Sequence, residues 1–122
     1  MPALPAETAE EEAARQLDQV FGALADPVRR SILERLDGQD CLVSELAAAY
    51  PISLQAVSRH IQVLAAAGLV EQTRTGRISR CHHQAAPIAA AAAWINRYAK
   101  YCDTQFQTLA KHLLELDRTR RL

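Results

Sequence analysis

Residues 44–83 decide the fold, and they read SELAAAYPISLQAVSRHIQVLAAAGLVEQTRTGRISRCHH. Helical periodicity predicts a short helix over residues 44–50 and, after a proline turn, a longer one over residues 53–67 with Ser53 as its N-cap. From residue 69 the apolar period changes to two, which predicts a β-hairpin over residues 69–83. A short helix, a tight turn, a second helix and a hairpin are together typical of a winged helix-turn-helix.

Two further helices precede this stretch and one follows it. A T-x-x-E capping box predicts the first over residues 8–24, while residues 1–7 are expected to be a disordered tail. Asp26, followed by a proline, predicts the start of the second helix. A proline also opens the last helix, predicted over residues 87–118. The predicted fold is mainly α with a small β-hairpin, in the order α-α-α-α-β-β-α, as one winged helix-turn-helix domain over residues 8–118.

The helix over residues 53–67 has two contrasting faces. At about 100° per residue, its buried face is predicted to carry Leu54, Val57, Ile61 and Leu64. The opposite stripe offers amides, a hydroxyl and a guanidinium, and no acid occurs in this helix. Arginine can donate two hydrogen bonds to guanine and glutamine can pair with adenine, while the amides of a helix start suit a phosphate. This helix is the predicted recognition helix. Its predicted DNA-binding residues are Ser53, Gln55, Ser58, Arg59, His60 and Gln62, with His60 bordering the core as a structural or phosphate-contacting residue.

The hairpin over residues 69–83 is the predicted wing, with Gly76 at the turn, where a positive φ is needed. Its arginines, which can lie along phosphates or enter the minor groove, are Arg74, Arg77 and Arg80. The whole chain has 14 basic and 14 acidic residues, yet residues 46–102 carry five arginines and one lysine against one acid. Residues 1–45 instead hold ten acids and four arginines. A basic segment of this kind favours contact with DNA. The alternative is that these charges only keep an exposed edge of the sheet solvated.

Composition narrows the class of protein. A chain of 122 residues is one ordinary domain. No apolar run reaches the ~18–20 residues of a membrane span, and the acidic start lacks the features of a signal peptide, so we expect a cytoplasmic protein. Three cysteines without a CxxC element support neither a disulfide scaffold nor a zinc ribbon. Since 23 residues are alanine, the larger apolar side chains are few, which favours burial in an oligomer.

The last predicted helix carries an apolar seam that favours a homodimer. Apolar residues recur at alternating steps of four and three from Ile88 to Leu116, over about four heptads. So small a body cannot easily cover a helix of that length by itself. The predicted interface residues on this helix are Ile95, Cys102, Phe106, Leu109 and Leu113. A dimer would place two recognition helices about one DNA turn (~34 Å) apart, which predicts a near-palindromic operator.

From residue 17 to residue 116 the chain resembles the ArsR/SmtB-type bacterial transcriptional repressors. The motifs that carry the resemblance are FGALADPVRR at 21–30, SELA at 44–47, SLQAVSRHIQVL at 53–64 and AGLV at 67–70. The resemblance implies a homodimer that binds a promoter palindrome, represses transcription and releases DNA when an inducer binds. It also implies that the helix over residues 53–67 contacts the bases and that the first and last helices, with Leu17 on the first, form the dimer interface. We expect repression of its own promoter and of a neighbouring gene.

The chain departs from the family's metal sites. Founding members carry a Cys-Val-Cys element on the third helix, whereas the matching positions here are Leu42, Val43 and Ser44, so no thiolate metal site is expected there. Other members bind zinc on the last helix, and His112 with Glu115 retains only half of that pattern. A metal-responsive protein that uses His112 and Glu115 stays a weak alternative, and we predict that no metal is bound.

The cysteines leave a redox alternative open. A thiol switch would join Cys41 to Cys102, or Cys102 to its mate in a dimer, although no basic neighbour obviously lowers either pKa. Cys81 and His83 alternate onto one face of the second wing strand, with His82 on the other, which is a weak metal pattern and favours a half-buried thiol. The inducer, whether a small molecule or an oxidant, is not identified by these residues.

Two other classes of function compete with a repressor. Catalysis requires a nucleophile beside a positioned base, but Ser58 and His60 lie two residues apart on one helix, about 160° from each other. The sequence also has no glycine-rich phosphate loop and no HExxH motif, so we expect no enzymatic activity and no cofactor. A winged helix that contacts only protein is the remaining alternative, and it would leave Gln55, Arg59 and Arg77 without a polyanion to bind.

Overall fold

The computed structural model describes residues 8–121, and the chain divides into two compact units, the first ending at Ala91 and the second beginning at Ala92. Residues 1–7, expected to form a disordered tail, lie outside the described residues. No helix between residues 8 and 121 is both long and apolar enough to cross a membrane. The elements are α1 Ala9–Leu24, α2 Pro27–Leu36, β1 Cys41–Leu42, α3 Val43–Ala48, α4 Leu54–Ala66, β2 Val70–Thr75, β3 Ile78–His83, α5 Ala86–Asn96 and α6 Ala99–Arg121.

Polar side chains begin the first two helices, as predicted. Thr8 Oγ1 accepts the N–H of Glu11 at 3.1 Å, and the Glu11 carboxylate accepts the N–H of Thr8 at 3.3 Å, which completes the capping box of α1. Asp26 Oδ1 accepts the N–H of Val28 at 2.8 Å and of Arg29 at 3.2 Å at the start of α2. The Thr8 cap fixes the start of α1, and the Asp26 cap fixes the turn between α1 and α2.

The core of the first unit is apolar throughout the described residues, and its buried side chains come from α1 to α5 and from the sheet. They are Val20, Ala23, Ile32, Leu33, Leu36, Leu46, Val57, Ile61, Leu64, Ala67, Leu69, Val70, Cys81 and Ala91. Three of the four residues predicted on the inner face of α4 are among them. The prediction for Leu54 is wrong, because this first residue of α4 lies at the helix end beyond the core, and it is 58% exposed.

The sheet has three antiparallel strands in the order β1-β3-β2, one strand more than the predicted hairpin. Strands β2 and β3 form that hairpin, and the pairing of Thr75 with Ile78 leaves Gly76 and Arg77 as a two-residue turn. A φ of +62° at Gly76, with no positive φ at Arg77, is the pattern of a type II′ turn and requires glycine at the first position. Strand β1 pairs with β3, so it joins the chain between α2 and α3 to the wing.

The prediction of one continuous helix over residues 87–118 is wrong, since the structure has α5 and α6 there. At the break, the N–H of Arg97 donates to Trp94 O at 3.2 Å and that of Tyr98 to Ile95 O at 2.9 Å. These bonds reach back three residues instead of four, so the backbone tightens and the α-helical ladder is interrupted. The predicted apolar seam is therefore divided between two helices. The predicted fold class, a mainly α winged helix-turn-helix with a small β-hairpin, is confirmed, with β1 added to the hairpin as a third strand.

Candidate nucleic-acid interface

The outward face of α4 is polar, free of acids and largely open to solvent. Gln55, Arg59 and Gln62 are exposed, and Ser58 is half-buried. Ser53 Oγ accepts the N–H of Ala56 at 3.1 Å, so this hydroxyl serves the helix cap as predicted. The remaining N–H groups of the first turn have no partner within the helix, and the helix dipole makes this end favourable for an anion. The face therefore offers donors and acceptors at a spacing suited to base edges and phosphates.

The three arginines of the wing are exposed but do not share one face. Arg74 lies opposite Ser79, on the sheet face that also carries the buried Cys81, whereas Arg80 lies opposite Thr73 on the other face. Arg77 occupies the turn between them. Because facing residues of an antiparallel pair project to the same side, the wing presents positive charge at its tip and on both sides. Its one acid, Glu71, is engaged by Gln84, whose Nε2 donates to the carboxylate at 2.6 Å.

Arg29 joins the turn between α1 and α2 to α4, the predicted recognition helix. Its Nε donates to Ala23 O at 2.7 Å and its Nη2 to Gly22 O at 3.1 Å, which satisfies carbonyls at the end of α1. Its Nη1 lies 3.2 Å from Nδ1 of His60, on α4. Arginine can only donate, so this contact is a hydrogen bond when Nδ1 of His60 carries no proton. His60 is half-buried, and its contact with Arg29 links α4 to the turn between α1 and α2.

Asp26 adds a negative charge to the same junction. Partial burial by itself would raise the pKa of its carboxyl, but hydrogen bonds from the backbone of Arg29 and Val28, helped by the nearby His60 and Arg29 side chains, lower the pKa below its usual value of 3.8. Its Oδ2 is 4.0 Å from Arg29 Nη1. The neighbouring Arg30 donates from Nη1 to Leu24 O at 2.6 Å. Two arginines of α2 thus cap α1, whose own last turn has no basic residue.

Two further features position α3 and the wing: the hydrogen bonds of Tyr50 and the turn at Gly68. The Tyr50 hydroxyl donates to Ser31 Oγ at 2.8 Å and accepts from Arg35 Nε at 3.2 Å, which fastens the end of α3 to α2. Gly68 has a φ of +77° where α4 ends and the chain turns to the wing. A Cβ at Gly68 would lie 3.3 Å from Gln16 Nε2 and from Pro87 Cγ, a tight fit, while the positive φ is the reason that glycine is favoured there.

Two residues of this surface were missed by the sequence analysis. Arg29 belongs to a quoted motif but received no role, because its three partners are 6, 7 and 31 residues away and no local pattern connects them. Leu54 was assigned to the core from its helical angle, although it is an exposed apolar residue at the start of the recognition helix. Its position as the first helical residue after the Ser53 cap was the available signal.

No group of three or more potential ligands occurs among the described residues. The start of α3 presents Leu42, Val43 and Ser44, which lack the thiolates of the family's site. His112 Nδ1 lies 3.9 Å from Glu115 Oε2, with both side chains largely exposed. On β3, where the sequence suggested a weak metal pattern, Cys81 is fully buried. His82 is exposed, and its Nδ1 lies 2.6 Å from Asp40 Oδ1.

The residues predicted for a dimer interface fall into three groups. Leu17 is half-buried and packs against the core of its own subunit. Ile95, Leu109 and Leu113 are exposed by 50%, 55% and 57%. The side chains of Cys102 and Phe106, including any thiol contact of Cys102, lie outside the described part of α6. Exposed leucines four residues apart on α6 form an apolar row that a single subunit leaves accessible.

The known proteins that are similar to this chain are DNA-binding transcriptional regulators. Residues 24–73 match a family model described as a helix-turn-helix domain. The chain is 41% identical over 64 residues to a transcriptional repressor, the SmtB homolog of Synechocystis sp., across 52% of this chain and 48% of that protein. It thus spans about half the length of the curated relatives it matches first.

Solved structures extend the similarity over more of the chain. The crystal structure of an ArsR family transcriptional regulator matches with a TM-score of 0.69 and 33% identity, covering 74% of this chain and 93% of that one. A homodimeric winged helix-turn-helix DNA-binding domain from Mycobacterium bovis, solved by NMR, matches with a TM-score of 0.57 and 29% identity. That comparison covers 79% of this chain and 91% of the fragment.

Proposed function

Since the chain belongs to the ArsR family of winged helix-turn-helix transcriptional regulators, we propose that it is a sequence-specific DNA-binding repressor. It acts as a homodimer on a near-palindromic operator in the cytoplasm and represses its own promoter. When the dimer occupies the promoter, it prevents transcription from it. Its direct partners are double-stranded DNA and a second copy of the chain, and α4 with the β2–β3 wing forms the DNA-binding surface.

The observation that carries this proposal is the acid-free outward face of α4 beside an arginine-bearing wing. We expect Arg59 to donate two hydrogen bonds to a guanine and Gln55 to pair with an adenine in the major groove. Arg77, at the turn of the wing, supplies a phosphate or minor-groove contact. A winged helix that binds only protein has no use for these groups, since burying an unpaired guanidinium costs free energy.

Leu54 adds an apolar contact to this surface. It is 58% exposed at the first position of α4, beside Ser53, where the N-terminal end of a recognition helix approaches the bases. Apolar side chains at such positions contact the C5-methyl group of thymine, which adenine, guanine and unmodified cytosine lack. The operator is therefore proposed to contain thymine where Leu54 enters the groove.

The homodimer is proposed from two observations. The similar domain from Mycobacterium bovis is described as homodimeric. In this chain α6 leaves Leu109 and Leu113 more than half exposed, and burial of such leucines against a second copy is favourable by roughly 1.5–3 kcal/mol per side chain. Two-fold symmetry then places the two copies of α4 about one turn of DNA (~34 Å) apart and accounts for a near-palindromic operator.

The test is an anisotropy titration of labelled DNA from the region upstream of the protein's own gene, compared with scrambled DNA at several salt concentrations. We expect tight, salt-sensitive binding that is selective for the upstream DNA. Arg59→Ala should weaken operator binding by about 5- to 150-fold and relax selectivity at one base pair. Arg77→Ala should weaken binding to both DNAs similarly and reduce the slope of log K against log salt by about 1.

The matched control is Arg118→Ala, which removes the same charge from an exposed position on α6. It should bind both DNAs as the wild-type protein does. Equal, weak binding of the wild-type protein to upstream and scrambled DNA would contradict autoregulation. An unchanged affinity in the Arg59→Ala, Arg77→Ala double variant would remove α4 and the wing from the interface altogether.

A further inference from the structure

Two thiols face each other across the short strand pair β1–β3. Cys41 and Cys81 are direct partners in this antiparallel register. Residues opposite one another project to the same side of a sheet, with Cα atoms about 4.5–5.5 Å apart and Cβ atoms about 4.5–5.5 Å apart. Disulfides span Cα separations of about 4.4–6.8 Å and Cβ separations of about 3.5–4.5 Å. The pair is therefore within reach of a disulfide after an approach of about 1 Å.

The two thiols differ in their access to solvent. Cys81 is fully buried in the core, whereas Cys41 is half-buried and packs against the same core. Burial, and to a smaller extent the charge of the neighbouring Cys41, raises the pKa of Cys81 to about 11. The Cys41 Sγ lies 3.9 Å from Arg35 O and donates a weak hydrogen bond to it. An oxidant therefore reaches Cys41 first, and Cys81 stays a protonated thiol beside it.

We propose that Cys41 and Cys81 are an oxidisable pair in which a hydroperoxide, such as hydrogen peroxide, forms an intrasubunit disulfide between β1 and β3. The Cys41 sulfur attacks one peroxide oxygen, which gives a sulfenic acid and, from hydrogen peroxide, one water. The Cys81 sulfur then attacks the Cys41 sulfur, and the sulfenic oxygen leaves as a second water with the thiol proton. Two electrons pass from the two thiols to the peroxide, and each thiol loses its hydrogen.

The surroundings of the pair permit this second step. Strand β1 is two residues long and lies at the edge of the sheet, so it can move towards β3 without disturbing a long ladder. Next to the thiols, Asp40 Oδ1 lies 2.6 Å from His82 Nδ1 and keeps the two strands in register.

The disulfide would have a defined mechanical effect. Cys41 stands two residues before α3, and Cys81 stands in the strand that also bears Arg80. A bond between them ties the start of the helix-turn-helix to the wing and closes a long loop, which restricts the unfolded chain. The folded state is therefore stabilised in the oxidised protein, and reductants reverse the effect.

The test uses the full chain with Cys102→Ser, which removes the third cysteine and keeps the pair. The protein is treated with a modest excess of hydrogen peroxide, then digested without reduction and mapped by mass spectrometry. We expect a mass loss of two hydrogens, a linked Cys41–Cys81 peptide and a Tm higher by on the order of 5–10 °C that dithiothreitol reverses. Cys81→Ala, a small apolar replacement, with Cys102→Ser should give only oxygen adducts at Cys41 and no such Tm rise.

Two outcomes would overturn the proposal. One is oxidation of the Cys102→Ser protein to sulfinic or sulfonic acid at Cys41 with no linked peptide. The other is a wild-type protein in which every disulfide involves Cys102 while the Cys102→Ser variant forms none. DNA binding is not a readout in this experiment, so its result stands apart from the proposed repressor function.

Discussion

Replacement of Arg29 by methionine is expected to destabilise the protein well beyond the effect of losing one surface charge. Methionine keeps an unbranched stem of similar length but has no donor, so three hydrogen bonds disappear, at 2.7, 3.1 and 3.2 Å. The side chain is only 17% exposed, which limits replacement of the guanidinium by water. At about 1 kcal/mol net for each bond, the loss is about 3 kcal/mol of unfolding free energy.

Arg30→Met is the matched control for this variant. It removes the same charge from the adjacent position of α2, but Arg30 is exposed and its guanidinium donates a hydrogen bond to Leu24 O alone among the described residues. We expect a cost below about 1 kcal/mol. Urea unfolding at a fixed protomer concentration measures both variants, and with an m-value of about 2 kcal/mol/M the midpoint of Arg29→Met should fall by about 1.5 M.

A double-mutant cycle with His60 isolates the link between α2 and α4. Arg29→Met, His60→Ala and the double variant should show a coupling free energy of about 0.5–1.5 kcal/mol, since one hydrogen bond joins the two side chains. If Arg29→Met and Arg30→Met shift the midpoint equally, or if the coupling is zero, then Arg29 does not position the recognition helix and the reasoning from its contacts is refuted.

Three further changes have definite expected outcomes. Asp26→Asn should be less stable than wild type near neutral pH, because folding lowers the pKa of the Asp26 carboxyl. The difference in unfolding free energy should be present above about pH 4, the region of the usual pKa of 3.8, and should fade as the pH falls below that value. Urea titrations across pH 2–7 measure it. Leu64→Ala, at a fully buried site, should cost about 2–5 kcal/mol, whereas Leu54→Ala should cost less than about 0.5 kcal/mol; equal costs in chemical unfolding would contradict the exposure of Leu54. Leu109→Glu with Leu113→Glu should raise the dimer dissociation constant by at least about 100-fold in sedimentation equilibrium, and an unaltered dimer would place the interface elsewhere.

Sequence periodicity and end signals were sufficient where the interactions that form an element are local. The Thr8 and Asp26 caps and the turn at Gly76 each involve partners within three residues, and all three were predicted correctly. The inner face of α4 was predicted correctly at Val57 and at two other positions, because a 3.6-residue period determines which side chains share a face. The same period misplaced Leu54, since an angle around the helix axis does not say where along the axis the core ends.

The sequence by itself determined the winged helix-turn-helix and the acid-free outward face of α4, because caps, periods and charges are properties of short segments. Only the tertiary structure decided which distant groups meet. Arg29 contacts His60 across 31 residues, and Cys41 faces Cys81 through a two-residue strand that has too few residues to show any period. The interruption at Tyr98 likewise has no glycine or proline to announce it. Such contacts depend on how preformed elements pack against one another, and that information is distributed over the whole chain.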